Sequence, residues 1–257
     1  MIAAALAHRL DRTLVIRARR DTVFQFFSDT PQWAAWWGAG SSIDPRPGGR
    51  MVIRHPNGVE ASGEVLEVRA PERIVFTYGY ETQKPNPPGS SRVTIRLDSH
   101  PQGTLLQLTH EFADGDAREE HIQGWRFQLS LFANLIAGRA ATGAASVVDR
   151  WFAAWGEPDA TARERTLAAI AAAEIRFGDR FSCLDGITDI NAHLTAAQRF
   201  MPGIRLERRG EIRHCQWHVL ADWVAVASDG QERGRGTNLF VLDADGRITA
   251  VTGFWAS

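Results

Sequence analysis

From residue 50 to residue 112 the sequence repeats one pattern: short runs rich in β-branched and aromatic residues, each cut off by Gly, Pro or Asn. The runs cover residues 50–55, 61–69, 73–80, 92–97 and 104–112, and the breaks are Pro47-Gly48-Gly49, Asn57-Gly58, Pro71, residues 85–89 and Gln102-Gly103. Such spacing predicts a meander of antiparallel strands. Asn57-Gly58 is its strongest turn, because both residues tolerate the positive φ of a tight hairpin. The pattern then changes. Residues 116–137 contain no breaker but Gly124, and Ile122, Trp125, Leu129, Phe132 and Ile136 recur at helical spacing. A sheet with one apolar face needs such an amphipathic helix to cover it, and the space between the two can stay open as a cavity. The fold class that follows is α+β.

Upstream, Leu14-Val15-Ile16 reads as a strand, and Asp21 precedes Val23, Phe24, Phe26 and Phe27 on one helical face. Pro31 ends that helix. Trp33, Trp36 and Trp37 follow at i, i+3 and i+4, which puts three indole rings on one side of a short helical segment. The ordered set Val23-Phe24-Gln25-Phe26-Phe27, Trp33-Ala34-Ala35-Trp36-Trp37, Arg46-Pro47-Gly48-Gly49, Gly63-Glu64-Val65, Pro71-Glu72-Arg73-Ile74 and Gly124-Trp125 resembles the START-like superfamily called SRPBCC. Its closest branch is the one named after the activator of the Hsp90 ATPase. The resemblance implies a helix-grip domain over residues 13–137, behind an N-terminal extension of residues 1–12, with a hydrophobic tunnel. Trp33, Trp36, Trp37, Tyr78, His110 and Trp125 are the candidate ligand-binding residues of that tunnel. His55 and Glu64 are further polar candidates, Glu64 facing inward or outward on its strand.

Residues 138–144 are small and contain two glycines, so a linker is expected there. Beyond it, Val147, Val148, Trp151, Phe152 and Trp155 mark a helix ended by Gly156-Glu157-Pro158-Asp159. Residues 160–171 form a second helix, 175–177 a short strand and 188–200 a third helix, ended by Pro202-Gly203. Four strands follow over 205–219, 223–228, 231–242 and 247–255, with turns at Asp229-Gly230 and Asp245-Gly246. Three helices before a curved sheet, with Ala153-Ala154-Trp155, Ile175-Arg176-Phe177 and Asp179, Ala192-His193-Leu194, and residues 242–248 leading to Thr252-Gly253-Phe254, resemble the nuclear-transport-factor-like cone of the SnoaL-like group. That group includes polyketide cyclases and is related to ketosteroid isomerase. The resemblance implies a cone over residues 145–257 in which an Asp or His acts as general base and a second group stabilises an oxyanion. Carried over residue by residue, the candidate catalytic set is Asp179, His193 and Asn238. Asn238 stands where relatives commonly keep an acid, so it can donate a hydrogen bond but cannot act as a carboxylic acid. The alternative for the other two is a turn carboxylate and a partly exposed helix histidine. Trp151, Trp217 and Trp255 are the candidate ligand-binding residues of the cone. The nine tryptophans fall in clusters, and such clusters either border concave sites or fill cores.

Other chemistry finds little support in the sequence. Lys and Arg total 29 against 30 for Asp and Glu, which nominates no nucleic-acid partner. No apolar run approaches the ~20 residues that span a bilayer, and residues 1–10 lack the features of a signal peptide, so a cytoplasmic chain without a membrane partner is expected. His214-Cys215-Gln216-Trp217-His218 would not converge on one ion if it lay on a single strand. There is no phosphate-cradling Gly-rich loop, no Gly-x-Ser-x-Gly elbow and no Cys-x-x-Cys pair, so neither metal nor cofactor is expected.

Three functions remain. One is binding of small hydrophobic or aromatic molecules in one or both cavities. The second is a cyclase- or isomerase-type enzyme in the cone, with Asp179 or His193 abstracting a proton beside a carbonyl. The third is a chaperone-associated interaction module whose cones pair through their sheets into a homodimer, as the two resemblances imply.

Overall fold

The computed structural model describes residues 5–82 and 86–256, and the first residues of the expected N-terminal extension and Pro85 lie outside them. The chain forms two compact units, Met1–Ile136 and Ala137–Ser257.

In the first unit the elements run β1 (His8–Ile16), α1 (Arg20–Ser28), α2 (Thr30–Trp37), β2 (Ser42–Ile43), β3 (Arg50–Arg54), β4 (Glu60–Arg69), β5 (Arg73–Tyr80), β6 (Ser91–His100), β7 (Gly103–Phe112) and α3 (Gly115–Ala140). The strands make one antiparallel sheet in the order β1-β7-β6-β5-β4-β3-β2, and with the long α3 this is a helix-grip fold. Alternation along β7 buries Leu106, Leu108, His110 and Phe112 on one face. Asp29 starts α2 by accepting a hydrogen bond from the Gln32 amide at 3.0 Å, and Pro31 sits in the first turn, where no backbone donor is needed. Phe132 of α3 is fully buried and meets Phe26, Phe27 and Trp36 with ring centroids 5.5, 5.2 and 4.7 Å apart. This aromatic junction fastens α3 to the first two helices.

Two sequence expectations change here. The N-terminal extension is not loose at its end: His8 to Arg12 pair with β7 as part of β1. Alternating charges hide the strand from a hydrophobicity reading, yet Arg9 and Asp11 form an ion pair on its outer face while Leu10 is buried. The expected linker is also helical. The helix α3 runs to Ala140, a 3-10 turn covers Ala141–Gly143, and α4 (Ala144–Gly156) begins at the next residue. Alanine is the best helix former and a helical glycine costs only about 1 kcal/mol, so two glycines among alanines do not break the run. Together, residues Gly115–Gly156 contain an 18-residue window of mean hydropathy 1.3, long and apolar enough to cross a bilayer by length and composition. Within the first unit, however, Leu129, Phe132 and Ile136 of this run are buried, which is the pattern of a core helix.

The second unit continues with α5 (Ala160–Ile170), β8 (Ala171–Gly178), β9 (Cys183–Asp185), α6 (Gly186–Phe200), β10 (Arg205–Cys215), β11 (His218–Val226), β12 (Glu232–Leu242) and β13 (Ile248–Trp255). The sheet order is β10-β11-β12-β13-β8-β9, antiparallel except where β8 runs parallel to β13. The core side of α4 packs Trp151 and Phe152 against Phe240 of β12. The strand expected over 205–219 is instead two strands joined at Gln216-Trp217. The turn carries no Gly or Pro signal because Gln216 itself takes the positive φ of 51°. Consequently Cys215 pairs with His218 across the hairpin, and the single-strand geometry assumed for His214 and His218 does not apply. Among the described residues no group of three or more His, Cys, Asp or Glu could hold a metal ion.

Replacing Phe132 by Ala should destabilise the first unit by about 3–5 kcal/mol, the usual cost of deleting a buried Phe. Denaturant unfolding would show this as a lower midpoint for that unit's transition; an unchanged midpoint would mean the aromatic junction is not what holds α3.

Candidate functional site

Each unit contains a cavity. In the first, about 480 Å³ lies among α2, α3, the β3–β4 turn and β5. Trp36, Trp37, Tyr78 and Trp125 wall it, together with His55, Tyr80 and His121. Gly124 leaves its α3 side open, and Phe127 and Leu131 stand at its edge, 64% and 42% exposed. Trp33 belongs to the core: it is fully buried, its indole N–H donates to the Val52 carbonyl at 3.1 Å, and it is not on the wall. His110 likewise sits behind the wall, holding Trp125 in place.

The polarity of that contact can be worked out atom by atom. An indole N–H only donates, so His110 Nδ1, 2.9 Å from Trp125 Nε1, must be the acceptor. The neutral ring then carries its proton on Nε2, which lies 2.9 Å from Ser91 Oγ, and the Ser91 hydroxyl donates to the Tyr78 carbonyl at 2.7 Å. Burial, and secondarily His121, holds the His110 pKa well below the ordinary histidine range, as this geometry requires. Burial also lowers His121, against the raising effect of its hydrogen bond to the Ala117 carbonyl, and lowers His55, with His121 adding to the effect. It raises Tyr78 well above its usual value, with Tyr80 adding to the shift, and raises Tyr80 as well.

Sequence reasoning omitted His121 and Tyr80 from the site. Both carry a periodic signal: His121 lies one turn before Trp125 on the same helix, and Tyr80 is two residues after Tyr78 on the same strand.

The second cavity, about 540 Å³, lies over the concave face of the C-terminal sheet beneath α6. Asp179, His193 and Asn238 all border it, as does Trp255. The register explains the convergence: Asn238 pairs with Gly253, and β8 delivers Asp179 just past Gly178, the partner of Thr252. A Cβ on Gly253 would lie 3.1 Å from the Asp179 side chain and 3.3 Å from Asn238 Oδ1, so only glycine lets both come this close without displacement. At Gly236 an added Cβ would lie 2.2 Å from the Phe254 carbonyl oxygen on the paired strand and 2.8 Å from the Trp223 ring, so glycine keeps both in place.

Asp179 accepts from the Phe181 amide at 2.8 Å and from Trp255 Nε1 at 3.0 Å. Its carboxylate thus closes a turn and faces the cavity at once. His193 Nε2 is 3.3 Å from Ser182 Oγ, and the His193 ring stands edge-on to Trp155. Asn238 Oδ1 accepts from Trp223 Nε1 at 2.9 Å, and because an indole cannot accept, the amide orientation is fixed with its NH₂ free to donate. Apolar side chains, among them Phe177, Ile204 and Leu206, make up most of the remaining wall, and Phe181, Phe200 and Met201 rim it, 69%, 85% and 46% exposed.

Two expected cone residues do not reach this cavity. Trp151 is fully buried in the core against Phe177 and Phe240, because the face of α4 that carries it points into the sheet. Trp217 occupies the β10–β11 turn, 7% exposed and away from the wall. Trp155 and Trp223 take their place.

Residues 17–137 match the family model described as Activator of Hsp90 ATPase homolog 1-like protein. That segment carries the N-terminal resemblance. The chain is also similar to several solved structures. One is a proposed isomerase of the SnoaL-like family from Agrobacterium tumefaciens, 27% identical, covering 45% of this chain and 99% of its own, with a TM-score of 0.43. Another is CalU16 from Micromonospora echinospora, 27% identical over 49% of this chain and 74% of that one, TM-score 0.39. A third is the Aha1 dimer from Colwellia psychrerythraea, 14% identical over 48% and 90%, TM-score 0.42. No curated protein matches the chain.

The buried neutral histidines have a consequence for stability. Below about pH 6.5 an unfolded chain protonates His55, His110 and His121, whereas the folded unit keeps them neutral to lower pH. The unfolded state then binds more protons, so stability is full above about pH 6.5 and falls as the pH drops towards the folded values. The first unit's melting temperature should fall between about pH 7 and about pH 5, less steeply in His55→Phe. A flat profile would contradict the neutral assignment.

Proposed function

We propose that the protein binds small, largely apolar or aromatic molecules, one in the cavity beside α3 of the first unit and one in the cavity beneath α6 of the second. The observation that carries this is the pair of aromatic-walled cavities of about 480 and 540 Å³, each with a few fixed polar groups on the wall. Volumes of ~300–1,000 Å³ with mostly apolar linings are typical of small-molecule sites. The match of residues 17–137 to a tunnel-forming family supports the same reading for the first cavity.

Two substitutions test it without disturbing the cores. A Cβ on Gly124 meets nothing within 4 Å, so Gly124→Leu should enter open space at the first cavity while improving helix propensity by up to ~1 kcal/mol. Ala197 of α6 lines the second cavity, so Ala197→Leu should occlude it at a small cost in helix propensity. An apolar fluorescent dye should bind the wild type at two sites, and each variant should lose one of them with its melting temperature kept. Unchanged dye stoichiometry in both variants would refute the reading.

A second reading, proton transfer in the cone, is favoured by the convergence of Asp179, His193 and Asn238 on one cavity. Asp179 or His193 would take a proton from the carbon beside a carbonyl, and the Asn238 NH₂ would donate to the developing enolate oxygen. Exchange of the α-protons of an aryl ketone in heavy water, followed by NMR, should be accelerated by the wild type and fall ~10²–10⁴-fold in Asp179→Asn or His193→Gln, whichever is the base. Equal exchange in the wild type and both variants would leave a binding cone.

A further inference from the structure

We propose that the C-terminal cavity takes molecules with an aromatic or apolar body and one carboxylate, the carboxylate pairing with Arg233 at the cavity mouth. The proposal rests on the reading of this cavity as a ligand site and names the class of ligand.

A shift of strand register puts Arg233 there. Along β12, Gly234 and Asn238 share the concave face: an added Cβ on Gly234 would lie 3.1 Å from the Trp255 ring, and Asn238 borders the cavity. Strict alternation would send Arg233 to the opposite face. However, Ala225 pairs with Gly234 while the next residue, Val226, pairs with Glu232, which leaves Arg233 as the extra residue of a β-bulge. Bulges re-aim side chains, and Arg233 is among the residues bordering the cavity.

Its charge is unmatched on that wall. The residues bordering the cavity include no Lys and no second Arg, and most of the others are apolar. The guanidinium is 53% exposed and uses one N–H on Asp229, at 2.6 Å. A solvated ion pair of this kind contributes only ~0–1 kcal/mol, so a second carboxylate can share or displace it at little cost. The planar fork of an arginine carries further N–H donors suited to a carboxylate.

Asp179, the acid on the same wall, stands apart from this end. The Trp255 ring lies between them: its Nε1 donates to Asp179 at 3.0 Å, while its Cζ3 and Cε3 edge is turned to Gly234, the neighbour of Arg233. Both Asp179 oxygens already accept a hydrogen bond, one from the Phe181 amide and one from Trp255. A ligand carboxylate at Arg233 also stays near solvent and keeps part of its hydration, which removes most of the penalty for burying a charge. The apolar body then lies inside, against the indoles of Trp155, Trp223 and Trp255.

Calorimetric titration of the full-length protein at about pH 7 with 2-naphthoate and its uncharged isostere 2-naphthamide tests this, the binding lost in Ala197→Leu being assigned to the C-terminal cavity. The naphthoate should bind that site roughly three- to tenfold more tightly than the amide. This preference should shrink as salt rises from about 50 mM to about 500 mM, because the pair is exposed to screening. In Arg233→Gln, a change at an exposed position, the naphthoate should fall to the affinity of the amide while the amide binds as in the wild type. Equal affinities in the wild type, a preference that ignores salt or survives in Arg233→Gln, or a fall of both compounds together overturns the proposal while leaving the cavity a ligand site. If neither compound shows binding that Ala197→Leu removes, the cavity reading fails and the proposal with it.

Discussion

A curved antiparallel sheet has to cover its apolar concave face, and helices lying across a concave surface touch its ends more readily than its centre. Both units are built around that constraint. In the first, α3 is fastened through Phe132 to Phe26, Phe27 and Trp36. In the second, α4 fills one part of the concavity with Trp151 and Phe152, and α6 roofs another part without filling it. The two cavities are what the helices leave uncovered, so their position follows from which helix face carries the large rings.

Tryptophan does more in these cavities than supply bulk. In each unit, indole N–H groups fix the orientation of polar side chains: Trp125 donates to His110, Trp223 to Asn238 and Trp255 to Asp179. Since an indole donates and never accepts, each bond assigns the state of its partner. It sets the His110 tautomer, the Asn238 amide orientation and an acceptor role for one Asp179 oxygen. Behind α6 the buried Arg163 acts as a backbone clamp. It reaches Asn191 Oδ1 at 2.7 Å, the Glu157 carbonyl at 2.6 Å and the Thr195 hydroxyl. Asn191 and Thr195 flank His193 on the helix at two residues either side, so the clamp grips the side of α6 turned away from His193.

Regular elements with a hydrophobic period were legible from sequence: β5 was placed to the residue, and α5 and α6 to within one or two. What was lost had physical causes. Alternating charge concealed the start of β1, and helix-forming alanines overrode the glycines after α3. The β10–β11 turn formed without a turn residue because Gln216 accepts a left-handed backbone. At the sites, Asp179, His193 and Asn238 were recoverable from the resemblance because the register of the cone carries them together. The tryptophans were less so: periodicity places Trp33 and Trp151 on a buried face but does not say whether that face meets a core or an opening. His121 and Tyr80 were missed because each is one period away from a residue already chosen.

Gly236 and Gly253 give the cone a one-way response to mutation. Both positions face rings or polar groups at contact distance, and neither has a side chain to lose. Every substitution there adds atoms and displaces the Phe254 carbonyl, Trp223, Asp179 or Asn238, so these two positions can take room from the site but cannot add any. Widening the site has to come from trimming the large residues opposite, such as Trp155 and Phe177. An engineer seeking altered size selectivity would therefore find two separate dials, one on the strands that only tightens and one on the helix and strand facing them that only loosens.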